Sequence, residues 1–439
     1  RRRALQINRK PADISIPLTP ACCSVHLKRG NAYSAFREEE KLMIAEKMKP
    51  YLKNNSAIRM MFEEGKRLAA QYGPENVYDF SLGNPNVPAP AKLKDAIVDI
   101  LNEVDPVVVH GYMSNAGFPQ VRKTIADNLN MRYGTAFTEN NLIMTVGAGS
   151  ALNVCLKTLV NPGEEVIVFA PYFLEYGAYV RNYDGVLVEV APDTDTFQLN
   201  LSDFEKKLSE KTKAVIINNP HNPTGVVYRE ETIRELAEIL KEKQKEYGHA
   251  IYLLSDEPYR ELAFDGAVVP FVTKYYDNTM VVYSYSKSLS LPGERIGYVV
   301  IPDEVEDSAD TIAAATIANR ISGCVNAPSL IQLAVARCAD AEVDLGYYDR
   351  NRRTLYEGLT KLGFTCVKPE GAFYLWLKSP EEDERQFVEK AKKYNILMVP
   401  GRSFACPGYV RLAYCVSYEK IVKALPEFAK LAKEYVKAL

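Results

Sequence analysis

The sequence contains few of the residues from which metal sites and disulfide frameworks are built. Four histidines occur in 439 residues, and they lie far apart with no metal-ligand spacing. The eight cysteines include no CxxC pair, and several lie in apolar stretches with helical spacing. We therefore predict reduced thiols in a cytoplasmic protein, with no metal site and no disulfide framework.

Long apolar runs and an excess of charge of one sign are also missing. No run of ~20 apolar residues occurs, so no transmembrane helix and no membrane partner are expected. Lysine and arginine number 54 against 56 aspartates and glutamates, which gives a formal net charge of −2. This balance provides no overall attraction to nucleic acid, and we expect no nucleic-acid partner. A local basic pocket for a small anion is compatible with it.

The first thirty residues differ in composition from the rest. Arg1, Arg2 and Arg3 open the chain, and a basic stretch with several prolines follows to about Gly30. An Arg-rich, acid-poor start is compatible with a transit peptide. A fragment, tag or upstream read-through is the preferred interpretation, so residues 1–30 are predicted to be an irregular N-terminal extension.

The remaining chain changes its hydrophobic pattern twice. Between residues 31 and 75, apolar residues at spacings of three and four predict helix. Short apolar runs then alternate with amphipathic stretches, which indicates a mostly parallel sheet covered by helices on both faces. Long helices dominate after about Pro302. We predict an α/β fold with a large domain at 76–315, and a smaller α+β domain that combines 316–439 with the helical part at 31–75.

Four polar clusters follow the ends of predicted strands, where open α/β sheets place ligands. The strands predicted in the large domain are 142–146, 165–169, 213–217, 251–254 and 281–285. Those predicted in the smaller domain are 373–377 and 396–400.

The first cluster is centred on Lys287, in Ser284-Tyr-Ser-Lys-Ser-Leu-Ser-Leu-Pro-Gly-Glu-Arg295. A lysine at a strand end beside small hydroxyl residues can form a Schiff base. Ser284 and Arg295 flank it and can hold a phosphate, for which arginine offers fork-shaped donors. A solvated loop lysine is the alternative that this segment alone leaves open.

Two further clusters add a carboxylate and an amide. Asp256 directly follows the apolar strand at 251–254, where an unpaired carboxylate is costly, so we expect a cationic partner for it. The alternative is an aspartate that caps the next turn. Asn222 lies in the rigid loop Asn218-Asn-Pro-His-Asn-Pro-Thr-Gly225, which either holds a side chain against a ligand or serves turn chemistry only.

The fourth cluster is the glycine-rich turn Gly147-Ala-Gly-Ser150, between a predicted strand and a helix. Backbone N–H groups at a helix N-terminus bind phosphate. A dinucleotide fingerprint would need glycine or alanine at position 152, and the residue there is Leu152, so that alternative is disfavoured. The four clusters together describe one site for pyridoxal 5′-phosphate (PLP), which needs a Schiff-base lysine, an acidic partner and a phosphate cradle.

The order and spacing of these motifs resemble those of the class I/II PLP-dependent aminotransferases of fold type I, which include aspartate aminotransferase. The resemblance extends from about Ala70 to the C-terminus. It rests on Asn-Pro-His-Asn-Pro-Thr-Gly, Ser-Asp-Glu-Pro-Tyr and Ser-Tyr-Ser-Lys-Ser-Leu-Ser-Leu-Pro-Gly-Glu-Arg-Ile-Gly. It implies a transaminase that moves an amino group from an L-amino acid to a 2-oxo acid by a ping-pong mechanism.

The resemblance also implies roles for single residues. Lys287 would bind PLP covalently and move the proton of the substrate Cα, and Asp256 would keep the pyridine nitrogen protonated. Asn222 and Tyr259 would hydrogen-bond the phenolic oxygen of the cofactor. The residues implied around the phosphate are Ala148, Gly149, Ser284, Arg295 and, from the neighbouring subunit of a homodimer, Tyr112.

Further residues are implied next to the substrate and the cofactor ring. Arg411 matches the arginine that binds the substrate α-carboxylate with a bidentate fork. Gly83 matches the glycine whose backbone meets the same carboxylate, and Asn222 borders the substrate as well. Phe173 matches the aromatic residue that stacks on the cofactor ring. Core packing is the alternative for Phe173, as it is for Tyr112.

One position departs from the pattern of some aspartate-using members, which have a lysine where this chain has Gly149. Aspartate as donor is therefore open, as are aromatic and small neutral amino acids. Arg320 or Lys28 could supply the missing cation.

Three other functions are compatible with parts of the pattern. The same residues serve PLP-dependent lyases, decarboxylases and a few oxidases, of which decarboxylation fits poorly with Arg411. A PLP-sensing transcriptional regulator is disfavoured because no helix-turn-helix pattern precedes the motifs. A non-catalytic binder is disfavoured because the whole residue set is retained.

Overall fold

The computed structural model describes residues 44–53 and 57–435. The predicted extension at 1–30 and the first part of the predicted helical stretch lie outside the described residues. Residues 44–53 belong to a unit of their own, and residues 57–435 belong to a second, compact unit that contains the sheets.

The described residues contain fifteen α-helices. The α-helices are α1 Lys49–Lys53, α2 Ala57–Tyr72, α3 Ala91–Glu103, α4 Pro106–His110, α5 Pro119–Tyr133, α6 Gly147–Leu159, α7 Glu175–Asn182, α8 Leu201–Lys207, α9 Glu230–Tyr247, α10 Tyr285–Ser288, α11 Ser308–Asn319, α12 Ser329–Arg337, α13 Leu345–Lys361, α14 Glu384–Lys392 and α15 Tyr418–Lys433. Shorter turns are the 3₁₀ segments Glu46–Met48, Pro74–Asn76, Glu139–Asn141, Val272–Lys274 and Gly401–Phe404, and the π-helical Arg320–Cys324. No helix of the described chain is both long and apolar enough to cross a lipid bilayer.

The strands of the described residues form three sheets. They are β1 Tyr78–Asp79, β2 Leu142–Thr145, β3 Glu165–Phe169, β4 Val186–Val190, β5 Thr212–Asn218, β6 Tyr252–Asp256, β7 Thr279–Ser284, β8 Gly297–Val300, β9 Cys366–Val367, β10 Tyr374–Lys378, β11 Ile396–Leu397, β12 Val399–Pro400 and β13 Tyr409–Ala413. Their orders are β2-β8-β7-β6-β5-β3-β4, β12-β13-β10-β9 and β1-β11.

The seven-stranded sheet is the mostly parallel sheet that the sequence predicted. Strands β4, β3, β5, β6 and β7 run parallel to one another, whereas β8 is antiparallel to both β7 and β2. Alternate residues of β3 point to opposite faces: Val166 and Val168 pack in one cluster with residues of α6, and Ile167 packs in another with Leu236 of α9. Both faces are therefore covered, as the continuous apolar strands indicated. The α/β fold prediction is confirmed.

The four-stranded sheet is antiparallel and lies in the C-terminal third of the chain. Its core includes residues of α2, α13, α14 and α15. The strand predicted at 396–400 is wrong as a single element. Its first half, β11, pairs with β1, whereas its second half, β12, pairs with β13. The apolar run alone could not show that its two halves have different partners.

The end of β7 also differs from the prediction. The strand was expected to continue to residue 285, but it ends at Ser284. The Ser284 side chain accepts a hydrogen bond from the Ser286 backbone N–H at 3.2 Å and so caps the short helix α10. This cap turns the chain just before Lys287.

Candidate active site

The four predicted clusters meet at the carboxyl edge of the central sheet. Asn218 at the end of β5 pairs with Asp256 at the end of β6, and Asp256 pairs with Val282 of β7. These strands are parallel, so their C-terminal ends lie side by side. The N-terminus of α6 joins them through β8, because Thr145 and Ser284 both pair with Gly297.

Lys287 lies in α10 with its side chain half-buried. Its Nζ donates a hydrogen bond to the Gly83 carbonyl oxygen at 2.7 Å. Burial lowers the pKa of this amine to about 8, and the cations Arg411 and Arg295 add to the lowering. A substantial neutral fraction at physiological pH makes the amine a competent nucleophile and base. The alternative of a solvated loop lysine is therefore wrong.

Asp256 is buried and has one hydrogen-bond donor to its side chain in the described chain. Tyr176 donates its hydroxyl to Oδ2 at 2.6 Å, whereas the buried Oδ1 has no partner. No cationic side chain of the described residues bonds Asp256, so the expected cationic partner would have to come from a ligand, and the alternative of a turn cap is wrong. Burial raises the pKa of Asp256 to about 7. A carboxylate with one open oxygen can receive a cationic donor from a ligand.

Tyr176 was not predicted as a site residue, although it ends the segment Pro171-Tyr-Phe-Leu-Glu-Tyr. It lies in α7 and is fully buried. Phe173 is half-buried and packs edge-on against Tyr176, with ring centroids 5.7 Å apart. A tyrosine in an apolar helix is usually a core residue, and only its contact with Asp256 distinguishes this one.

Arg411 lies on β13 and is 2% exposed. It donates from Nη1 to Asn222 Oδ1 at 3.0 Å and from Nη2 to the Ser81 carbonyl at 2.7 Å, while the buried Nε has no partner. Its guanidinium stacks over the rings of Tyr374 and Phe404, at 4.4 and 4.7 Å. Its hydrogen-bond partners in the described chain are neutral, so its buried charge is available to an anion.

Residues 81–83 form a loop in which each carbonyl oxygen accepts a hydrogen bond from a side chain near the site. Arg411 donates to Ser81, the Cys415 thiol to Leu82 at 3.7 Å, and Lys287 to Gly83. A Cβ at position 83 would lie 2.1 Å from the Tyr374 hydroxyl oxygen. Glycine is therefore required where this loop meets the buried tyrosine.

The two residues predicted at the phenolic oxygen of the cofactor have other partners within the chain. Asn222 accepts from Arg411 through Oδ1, which leaves its Nδ2 group as the remaining donor. The hydroxyl groups of Tyr259 and Tyr374 are 2.9 Å apart and share a hydrogen bond. The Lys287 Nζ lies 6.0 Å from the centre of the Tyr259 ring. Tyr374 is a second residue that the sequence analysis missed.

The predicted phosphate cradle comes together at the N-terminus of α6. Arg295 donates to the Val146 carbonyl at 3.4 Å, and a Cβ at Gly147 would lie 2.6 Å from its Nη2. Gly147 has φ +78°, which favours glycine. Ser284 Oγ and Ser286 Oγ are 2.7 Å apart at the neighbouring strand end. An exposed cation, hydroxyl groups and helix N–H groups suit a phosphate.

Position 149 is bordered by a tyrosine of α7. A Cβ at Gly149 would lie 3.0 Å from the Tyr179 hydroxyl. Burial chiefly raises the pKa of Tyr179 to about 12, with a further contribution from the negative charges of Glu175 and Asp256. A side chain at this position would therefore require the Tyr179 hydroxyl to shift by a small distance, and Tyr179 is a third residue that the sequence pattern did not indicate.

Tyr112 differs from the other predicted residues because its side chain is 92% exposed in the single chain. The alternative of a core tyrosine is therefore wrong. Arg320 is exposed at the start of the π-helical turn, and Lys28 lies outside the described residues. Across the described ranges, no three histidine, cysteine, aspartate or glutamate side chains are grouped as metal ligands.

The fold and the site define a PLP-dependent aminotransferase of fold type I. The chain belongs to the aminotransferase class I and II family, whose model matches residues 75–427. A crystal structure of an aminotransferase from Eubacterium rectale superposes with a TM-score of 0.88 at 49% identity, covering 90% of this chain and 100% of that one.

Two relatives match along most of their length. A probable aspartate/prephenate aminotransferase of Aquifex aeolicus is 31% identical over 375 residues, which is 82% of this chain and 92% of the relative. Aromatic-amino-acid aminotransferase 2 of Thermococcus litoralis is 28% identical over 398 residues, 87% of this chain and 96% of the relative. The predicted family and transaminase activity are confirmed.

Proposed function

We propose that this transaminase holds PLP at Lys287 and moves amino groups from aspartate or an aromatic amino acid to a 2-oxo acid. One observation carries the proposal. Three buried or half-buried groups at one edge of the sheet can each bind a part of a ligand. Within the described chain, Oδ1 of Asp256 has no hydrogen-bond partner, the charge of Arg411 has no anion beside it, and the amine of Lys287 has a lowered pKa. The first fits a protonated ring nitrogen, the second a carboxylate and the third an aldehyde.

The residues of the chain fit the other groups of PLP as well. Its phosphate would be held by the N-terminal N–H groups of α6 at Ala148 and Gly149, with Ser284 and Arg295. Asn222 and Tyr259 would donate to its phenolic oxygen, and Phe173 would pack on its ring. When bound, PLP supplies an electron-withdrawing ring that makes the Cα proton of an attached amino acid acidic.

The protein's own groups would then orient the substrate and move its proton. Arg411 would bind the α-carboxylate with two parallel donors, which fixes the position of Cα. Lys287 would accept the Cα proton and deliver it again, and its pKa of about 8 is close to the value at which a base works best near neutral pH. Asp256 would remain ionised because a cationic partner lowers the pKa that burial raises.

The donor classes follow from the relatives, which are named for aspartate/prephenate and for aromatic amino acids. One observation favours an aromatic donor. Where some aspartate-using members have a lysine, this chain has Gly149 against the hydroxyl of Tyr179. An aromatic side chain needs no cation, whereas a second carboxylate does.

The test is an absorbance spectrum of the purified protein with PLP, before and after each amino acid is added without an oxo acid. Donors should convert the band of bound PLP into that of pyridoxamine phosphate, and aspartate or the aromatic amino acids should act fastest. Release of pyruvate and ammonia without this conversion would favour a lyase. Lys287→Ala is the control and should not form the band.

We further propose a homodimer in which Tyr112 reaches the phosphate site of the partner subunit. The 92% exposure of Tyr112 supports this role, because such a side chain has room to contact a second chain. Mixing Tyr112→Phe protein with Lys287→Ala protein tests it. Each hybrid dimer then contains one site with Lys287 and an intact Tyr112, so activity should exceed the sum of the two separate proteins. Purely additive activity would contradict the role.

The domain division and the location remain part of this proposal. A large PLP-binding domain at 76–315 and a small domain at 316–439 agree with the separation of β2–β8 from β9–β13, although β1 pairs with β11. A cytoplasmic location is supported by the free thiols among the described cysteines, namely Cys155, Cys324, Cys338, Cys366, Cys406 and Cys415. Limited proteolysis and localisation of a tagged protein would test these two points.

A further inference from the structure

The hydroxyl groups of Tyr259 and Tyr374 carry two protons but share one hydrogen bond. Their oxygens are 2.9 Å apart, and both side chains are buried, with 5% and 3% of their surface exposed. Among the described residues, each hydroxyl has the other as its one hydrogen-bond partner. One of the two protons therefore has no acceptor within the described chain. The groups around each hydroxyl indicate which tyrosine donates to the other.

The Tyr374 hydroxyl is packed between the loop at residue 83 and the Tyr259 hydroxyl. It lies against the Cα of Gly83, so closely that a Cβ there would be 2.1 Å away. Its ring is fixed beneath the Arg411 guanidinium at 4.4 Å. If Tyr259 were the donor, the Tyr374 proton would be buried without a partner, which is costly.

Tyr259 is placed differently, because its ring lies 6.0 Å from the Lys287 Nζ. If Tyr374 donates to Tyr259, the proton left without an acceptor belongs to Tyr259, whose ring lies beside the reactive amine. A ligand oxygen bound there can accept it. Burial raises the pKa of both hydroxyl groups, that of Tyr259 well above its usual value, and the Arg411 cation opposes the rise at Tyr374, which favours Tyr374 as the donor of the pair.

We propose that Tyr374 is a positioning residue that donates to Tyr259 and thereby directs the Tyr259 proton to the phenolic oxygen of PLP. This inference rests on the proposed function. Tyr374 acts through Tyr259, without contact to the reacting atoms. A donor that itself accepts a hydrogen bond is polarised and donates more strongly, so Tyr374 also strengthens the Tyr259 contact.

The test is the pH midpoint of the absorbance change of PLP bound to the whole protein, measured without substrate. Tyr259→Phe should raise this midpoint, because it removes the donor that stabilises the deprotonated form. Tyr374→Phe should raise it in the same direction but less, by about 0.4–1 pH unit, the range expected for one neutral hydrogen bond. In the double variant Tyr374→Phe should add nothing to the effect of Tyr259→Phe.

Tyr414→Phe is the matched control. Tyr414 is fully buried in the same region, and its hydroxyl donates to the Ala372 carbonyl at 3.1 Å rather than to Tyr259. Its loss should leave the midpoint unchanged, and an equal shift there would overturn the proposal. The proposal would also be overturned if Tyr374→Phe left the pH midpoint unchanged. It would be overturned as well if Tyr374→Phe shifted the midpoint by the same amount in wild-type protein and in the Tyr259→Phe variant. Wild-type protein that forms no PLP band overturns the proposed function itself and this inference with it.

Discussion

Arg411 donates to Asn222 over 3.0 Å, although the two residues are 189 positions apart in the chain. Arg411 lies on β13 of the antiparallel sheet, and Asn222 lies in the loop that follows β5 of the central sheet. The contact joins the arginine proposed to bind the substrate α-carboxylate to a residue proposed to hold the cofactor. Each of the two side chains therefore fixes the orientation of the other.

Arg411→Lys should weaken substrate binding more than cofactor binding. A lysine cannot keep the bonds to Asn222 and Ser81 and also offer a fork to a carboxylate. We expect KM for the amino donor to rise about 10–100-fold, while the affinity for PLP changes little. Steady-state kinetics and a PLP titration would measure both. Arg234→Lys, on the exposed face of α9, is the control, and an unchanged KM for Arg411→Lys would refute the assignment.

Capture of PLP by the free protein should depend on the ionisation of Lys287. Because burial lowers the pKa of its amine to about 8, the neutral, nucleophilic form accumulates as the pH rises through that value. The rate of covalent capture should increase up to about pH 8 and then level off. Stopped-flow absorbance from pH 6 to 10 measures it. A rate that still rises steeply near pH 10, as for an ordinary lysine, would contradict the lowered pKa.

Asp256→Asn should stabilise the cofactor-free protein while it abolishes efficient catalysis. The folded-state pKa of Asp256, about 7, lies above the value of ~3.9 in an unfolded chain. The folded state therefore binds the proton more tightly, and this contribution to stability is full below pH ~4 and is lost as the pH rises through 7. Removing the charge should add about 1–3 kcal/mol to the free energy of unfolding at pH 8.

The comparison of wild type and Asp256→Asn at pH 8 and pH 5 checks this sign. The gain in melting temperature should be smaller at pH 5, where the wild-type carboxyl is mostly protonated. Asp127→Asn, at an exposed ion pair with Lys123, should show no such dependence. A gain that is equal at both pH values would show that the charge of Asp256 is not its cause.

Gly83→Ala should destabilise the protein because the new methyl group would clash with Tyr374. A second substitution that removes the Tyr374 hydroxyl should restore part of the stability. The new Cβ would lie 2.1 Å from the Tyr374 oxygen and 2.9 Å from the ring carbon that carries it. We expect a loss of about 1–3 kcal/mol of stability, with reduced substrate affinity. Gly83→Ala/Tyr374→Phe should recover part of the stability in thermal unfolding. Gly346→Ala, whose Cβ would meet no atom closer than 3.5 Å, is the control.

Much of the fold was predictable because buried parallel strands are short, continuous apolar runs. Strand β3 has the predicted bounds, and β2, β5, β6 and β7 differ from the prediction by one or two residues at one or both ends. Strand β4 was not predicted, because most of its residues are partly exposed and its apolar run is interrupted by Glu189. The pairing of β11 and β12 with different strands depends on tertiary packing.

The local pattern of apolar runs is enough to place Asn222, Asp256, Lys287 and the turn at Gly147 after the ends of strands. The partners of these residues come from distant parts of the chain and depend on the packing of the elements. Tyr176 reaches Asp256 from 80 residues away, and Tyr374 reaches Tyr259 from 115 residues away. Such contacts depend on how the elements pack. Sequence pattern does not distinguish a site tyrosine from a core tyrosine, because the polar partner of the site tyrosine is distant in the chain.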